Sequence, residues 1–495
     1  MPISPLLRHF APKFSRAKNL LAASAAVTAF ALLPVSAHAQ VVKPAEQAKA
    51  AREHPQIVAQ FGGAIEGPLG AYVSAIGEKT ARSADLAGKC RFTVLNSDVV
   101  NAFAVQGCYI YVTRGLLTIM NSEDELAAVL GHEVGHIQGK HAYRRQRAST
   151  LSTLGAIALG AATNSQDVMQ QAGQLAQVYT LSYSRDQENQ SDAYGVRHLQ
   201  ANGYNLFAAS DIMTALGAQE ALDARVNNRE GRQIPNWARS HPVSSDRAAR
   251  TSNAATRAGG TRTNPPELVT PFFNAINGLR VGDDPEQGFV NGRVFAHPTI
   301  KITFEVPVGY TLANSPQAVQ IQGTGNIRSQ FAGGANLTGG LDAYANTVLR
   351  SILGQAQAQV SVPQASVVNG LPAVSLLARA QAQNGQAIDV AVMAYNVNDK
   401  AYHFAIVGPA GQLNPTYPMT QSLRILTAAE IAQLRPRQIE IVTVRSGDTI
   451  ASLSSRMAYS DFQADRFKMI NAITTDRALI PGEKLKIVVY GAALR

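Results

Sequence analysis

The chain has 495 residues, 46% of them hydrophobic and only 16% charged, which suits two to four folded domains and excludes a largely disordered protein. Its formal charge of +10 would fall to +6 on removal of residues 1–39, because that segment holds four Lys or Arg and no Asp or Glu. So diffuse an excess suits anionic envelope polymers or peripheral membrane contact and does not imply nucleic-acid binding.

Arg8, Lys13, Arg16 and Lys18 precede an apolar, alanine-rich run over 20–35, and Ala37-His38-Ala39 supplies a small-residue processing site. These features predict a signal peptide over 1–39, cut between Ala39 and Gln40, with the remainder exported to the periplasm. An uncleaved membrane anchor is the alternative, although the run is short for a span. No cysteine lies near the cut to carry a lipid.

Residues 40–87 read as amphipathic helix, broken at Gly62-Gly63 and Gly67-Pro68. Three β-like runs follow, over 92–96, 101–105 and 109–113. Cys90 and Cys108, the only cysteines, each open one of them. If those two strands lie side by side and parallel, the sulfurs come within bonding range and a structural disulfide can form. Two buried thiols are the alternative.

Ser122 with Glu125 predicts a capping box, and three acids then stand at the positive end of a helix. That helix carries His132-Glu133-Val134-Gly135-His136. Histidines four apart share one face and can grip one zinc ion, while Glu133 can take a proton from the water it activates. The bland alternative is an amphipathic helix with two surface histidines. The apolar stretch 148–162 is too short to span a bilayer comfortably and reads as a buried helix or a membrane-leaning flap. A long helix is expected over 166–201, stopped by Asn202-Gly203. On it, Glu188 is a candidate third zinc ligand. Asp192, one turn on, could accept the free N–H of a ligand histidine. A solvated acidic face is the alternative for that pair.

These motifs, with Ser184-Arg185-Asp186-Gln187 ahead of Glu188, resemble the gluzincin zinc metallopeptidases. Within them the likeness is to the HtpX and CAAX-prenyl-protease family, in its soluble periplasmic, BepA-like branch. Asn101-Ala102-Phe103-Ala104 and the segment 109–117 match the family ahead of the zinc helix, and His241-Pro242 with Arg247 resembles a motif downstream. Gln106-Gly107-Cys108 departs from the usual turn. The resemblance implies one zinc per chain held by His132, His136 and Glu188, with Glu133 as general base. Asn101, Ala102, Phe103 and Ala104 would form an exposed edge strand on which an unfolded peptide lies extended; an ordinary paired strand is the alternative. His241 could stabilise the oxyanion, plug the metal's open position, or be a plain loop histidine. His141 is expected to be structural or to support a ligand.

Residues 259–287 lose periodicity and gain Gly, Asn, Pro and Thr, which predicts a linker between a peptidase domain over 40–258 and an α+β domain over 288–430. In the latter, strands are expected over 300–306, 388–395 and 401–407, and a helix over 340–355. Residues 437–490 resemble a LysM module, with Ser446-Gly447-Asp448-Thr449, Asn471 and Pro481-Gly482 as landmarks. That resemblance implies a βααβ fold and contact with peptidoglycan. The fold class expected is α+β multidomain, its peptidase part zincin-like and mainly helical with a small sheet. The function expected is a periplasmic zinc endopeptidase acting on misfolded or misassembled envelope polypeptides. Two rivals are a peptidase that cuts wall cross-links and a glycan-binding assembly chaperone whose zinc stays plugged.

Overall fold

The computed structural model describes residues 41–143, 183–226, 241, 245–262, 266–382 and 385–493. The expected signal peptide with its Ala39–Gln40 cut, the apolar stretch 148–162, and the start of the helix expected from 166 lie outside the described residues. The described residues are mixed helix and sheet.

Helices α1 (Pro44–Gln60) and α2 (Gly67–Arg82) lead into a three-stranded sheet. On α2, Leu69, Val73, Ile76 and Thr80 recur at helical spacing and are buried. The sheet holds β1 (Arg91–Leu95), β2 (Ala102–Val105) and β3 (Tyr109–Thr113) in the order β1-β3-β2. β1 runs parallel to β3 with Arg91 opposite Tyr109, so the residues before them, Cys90 and Cys108, are neighbours and form a disulfide across a Cα–Cα distance of 4.6 Å. β2 is at the sheet edge by strand order, but all four of its residues are buried, as is Asn101. This corrects the expectation of an exposed edge over Asn101, Ala102, Phe103 and Ala104. One cause is α1: Phe103 and Val105 pack with Ala50 and Ile57 in a core of their own.

A short α3 (Arg114–Ile119) precedes α4 (Glu123–Gln138), which carries the histidine motif. Ser122 Oγ caps α4 by accepting the Glu125 N–H at 3.2 Å. The Glu125 carboxylate does not close the expected box. It accepts instead from the Asn121 amide at 2.7 Å. Every residue from Asp124 to Ile137 is buried, so α4 is a central helix.

Against it lies α5 (Arg185–Ala201), followed by α6 (Ala208–Val226) and α7 (Ser245–Arg257). Helix α5 starts at Arg185, where Ser184 and Gln187 form a reciprocal capping box, so the helix expected over 166–201 is interrupted at that cap. Gly135 lets α4 and α5 approach closely. A Cβ on it would meet Ser191 Oγ at 2.8 Å and the Tyr194 Cβ at 2.9 Å.

The span 259–287, expected as a linker, contains helix α8 (Pro266–Ile276) and strand β4 (Arg280–Val281). Phe272, Phe273 and Ile276 bury one face of α8, a pattern that the flanking Pro and Gly residues mask in the sequence. In the middle domain an eight-stranded sheet carries long antiparallel strands at Leu371–Gln381, Ala387–Val397 and Lys400–Pro409. Helix α9 (Gly340–Leu353) covers one face through Ala345 and Leu349, and Phe304, Phe331, Tyr395 and Phe404 fill a second core.

The C-terminal segment runs β5 (Arg437–Thr443), α10 (Ile450–Ser454), α11 (Gln463–Ile470) and β6 (Lys484–Tyr490). β5 pairs antiparallel with both β6 and β4. Val442 of β5, Phe467 of α11 and Ile487 of β6 share one continuous apolar core with Leu117, Leu126 and Phe272. Lys486 is fully buried there, and its Nζ donates to the carbonyl of Thr118 at 2.9 Å and to that of Met120, between α3 and α4. Among the described residues no helix is long and apolar enough to cross a membrane.

Candidate metal centre

α4 presents His132 and His136 on one face, α5 presents Glu188 and Asp192 one turn apart, and His241 enters ahead of α7. All five are buried. His132 Nε2 and His136 Nε2 lie 3.0 Å apart, and each is 3.5 Å from an oxygen of Glu188. His241 Nδ1 is 3.3 Å from His132 Nε2 and 3.1 Å from Glu188 Oε1. These four residues can each aim one ligand atom at a common point.

Outer partners set the rings. Asp192 Oδ1, 3.0 Å from His132 Nδ1, accepts its proton and leaves Nε2 directed into the group. Gln190 Oε1 takes the Nε2–H of His141 at 3.0 Å, so His141 Nδ1 accepts from His136 Nδ1 at 2.8 Å and His136 Nε2 also faces inward. The Ser191 hydroxyl donates to the His132 carbonyl, and Tyr183 stacks on the His136 ring with centroids 3.8 Å apart. Arg247 donates to both Asp192 oxygens, at 3.0 and 2.7 Å, and its third nitrogen lies 2.8 Å from Glu188 Oε2.

The donor set fits a zinc ion. In a tetrahedron with ~2.0–2.1 Å metal–ligand bonds the donors stand roughly 3.3–3.4 Å apart. Five of the pair spacings, taking for each the Glu188 oxygen in contact, run from 3.0 to 3.5 Å, and the four donors all lie within 4.8 Å of one another. Electrostatics agrees. Burial works against charge on His132, yet Asp192 and Glu188 outweigh it and raise the imidazole to about 10. Burial likewise opposes ionisation of Glu188, but His241 and His132 hold its carboxyl far below the ordinary range. The group thus draws in positive charge, which a divalent ion supplies.

Glu133 is fully buried, and neither of its oxygens has a hydrogen-bond partner. The Nε2 of His241 lies 3.6 Å from Glu133 Oε1. Burial pushes its carboxyl up, with His241, His132 and the Ala104 backbone amide pulling it back. That last influence places β2 beside the would-be base. A buried carboxylate that makes no hydrogen bond within the geometric limits is costly in a purely structural role.

The sequence points to Arg247 without giving it a role, and does not single out Tyr183 or Ser191. The arginine is visible there as the partner of the His241-Pro242 motif. Nothing in one sequence says which acids it meets. Pro242 is outside the described residues.

Residues 69–255 match Peptidase family M48. Over 194 residues the chain is 27% identical to a beta-barrel assembly-enhancing protease of Yersinia pestis, covering 37% of this chain and 38% of that protein. It is 29% identical over 160 residues to metalloprotease YcaL of Escherichia coli strain K12, covering 32% of this chain and 59% of that one. A protease HtpX homolog of Desulfatibacillum aliphaticivorans is 28% identical over 204 residues, covering 35% and 65%. The chain therefore spans little more than a third of the assembly-enhancing protease it resembles. Taken with the buried His–His–Glu–His group, these likenesses make residues 69–255 a zinc metalloendopeptidase domain similar to Peptidase family M48.

Proposed function

We propose that the protein is a zinc-dependent endopeptidase of the bacterial envelope, acting on misfolded or misassembled envelope polypeptides. The observation that carries this reading is the convergence of His132, His136 and Glu188 beside the unpartnered carboxylate of Glu133. Bound zinc supplies Lewis acidity, polarising a scissile carbonyl and making water more acidic. Glu133 takes the proton of the attacking water and passes it to the departing amine. Asp192 and His141 keep His132 and His136 in the ligating orientation, and Arg247 holds Asp192 and Glu188 in place. β2 runs beside Glu133 and can present its backbone to an extended substrate once its outer side is uncovered.

For His241 the position beside His132 Nε2 and Glu188 supports the removable plug: its Nδ1 stands where a fourth donor belongs. In this reading the protease is latent until His241 swings away. The same geometry favours, as a second reading, a chaperone that keeps its zinc plugged. The substrate class rests on the printed name of a relative 27% identical to this chain, and the periplasmic location on the processing signal around Ala39. The likeness of 437–490 to LysM supports contact with peptidoglycan. Cleavage of unfolded casein tests the proposal. Cleavage should be abolished by a zinc chelator, restored by zinc, and raised on the order of tenfold in His241→Ala as the plugged population is released. No cleavage by either protein would leave the chaperone reading standing. A loss of cleavage confined to His241→Ala would make that histidine catalytic.

A further inference from the structure

The middle domain's large sheet ends on an edge that carries no charged side chain. Strand Leu371–Gln381 is flanked on its outer side by two short strands, Ala358–Val360 and Gln364–Val368, which together make one interrupted edge. Residues 364–367 are exposed on both faces. Val362 and Val367 are each 71% exposed, and Val360 and Leu377 are exposed beside them. Val368 closes onto Leu371 through the two-residue turn Asn369-Gly370. By the alternation of an antiparallel ladder, Ala365 and Val367 therefore turn their N–H and C=O groups outward. Among the described residues no strand pairs with that side.

Exposed edges in monomeric proteins are normally blunted by lysines, inward charges or covering elements. Here there is no Asp, Glu, Lys or Arg between Arg350 and Arg379. A row of outward main-chain donors and acceptors is complemented only by another extended backbone. That backbone belongs either to a second copy or to a client. Pro363 lacks an N–H and limits the continuous pairing run to Gln364–Val368. Five residues of strand extend only ~17 Å. Self-pairing over that length buries far less than the roughly 1,200–2,000 Å² of a stable interface. It suits brief capture of a client strand.

We propose that the edge at Gln364–Val368, with the exposed Val360, Val362 and Val367, is a docking site for extended, uncharged, β-prone segments of non-native polypeptides. Main-chain hydrogen bonds supply the affinity, and the neutral valine surface favours alternately apolar partners over charged ones. Its use as a holding site for protease substrates rests on the endopeptidase reading; the binding itself does not.

The test uses the full-length Glu133→Gln protein, so that no probe is cleaved. The probe is a labelled, end-blocked decapeptide alternating valine with threonine, paired with a twin N-methylated at alternate residues. Fluorescence anisotropy should show saturable binding of the first and binding about tenfold weaker or more for the twin. Val367→Lys, and independently Ala365→Pro, should weaken the first peptide by about tenfold or more, with unchanged sedimentation mass. Absence of saturable binding, or equal binding of the N-methylated twin, would overturn the proposal. So would self-association of the parent protein that Val367→Lys abolishes, which would assign the edge to a second copy. Edge binding with no casein cleavage by either the unsubstituted protein or its His241→Ala variant would overturn the endopeptidase reading alone.

Discussion

Arg247 donates to both oxygens of Asp192 and faces Glu188, and all three side chains are buried. Burial opposes the ionisation of Asp192, and His132 with Arg247 overcomes it, holding the carboxyl below its usual range. Removing the guanidinium leaves two buried carboxylates short of a counter-charge. Arg247→Met should cost about 3–5 kcal/mol of stability, the ordinary toll of breaking a buried pair. It should also lower zinc affinity by about 10–100-fold, as loss of an outer-shell partner does. Arg247→Lys should fall between, since it keeps the charge and loses the fork. Chelator competition and urea unfolding measure both effects, and unchanged values would contradict the role given to Arg247. The residues that touch the metal position were legible because their spacing carries their chemistry: histidines four apart, then an acid pair one helical turn apart. The arginine's partner was not legible, because Arg247 and Asp192 are 55 positions apart and only folding brings them together.

Among the elements, the sheet edge of the peptidase domain and its disulfide come from one piece of geometry, the parallel pairing of β1 with β3. The bridge from Cys90 to Cys108 closes a loop with a sequence separation of 18. A loop of that size restricts the unfolded chain by about 3 kcal/mol. Replacing both cysteines by serine should therefore lower stability in urea by about that amount while zinc binding survives. An unchanged urea midpoint would contradict the bridge's stabilising role. The cysteine pair was legible because each residue opens a β-like run. Helix α8 was not, since Pro266 and Pro271 suggest loop while Phe272, Phe273 and Ile276 are being buried. β2 shows a different failure. The family resemblance implied an exposed edge, but the burial of Phe103 and Val105 depends on α1, more than forty residues upstream in chain order. The helix start at the Ser184 cap was not legible within the run expected as one helix, because the residues around it are all compatible with a helix interior.

At the largest scale, the described residues from Val41 on form a single compact unit, and the C-terminal segment is built into it. β4 takes β5 as its partner strand, Phe467 and Ile487 share the core of α4, and Lys486 ties down the carbonyls between α3 and α4. A detachable glycan tether would leave the peptidase intact when removed. Ending the chain after Leu434 should instead expose this core and yield insoluble protein or loss of the cooperative unfolding transition seen by circular dichroism. A soluble, zinc-binding truncation with the parent's melting temperature would contradict that integration. At every one of these levels the proposed chemistry depends on Glu133, the buried acid at the metal centre whose oxygens the fold leaves unbonded. The direct measurement is zinc content alongside casein cleavage for the parent protein and for Glu133→Gln, each also carrying His241→Ala to open the site. The expected result is one zinc per chain in both, cleavage by the protein that keeps Glu133, and a loss of about a hundredfold or more on Glu133→Gln. Comparable cleavage by the two proteins would contradict the account.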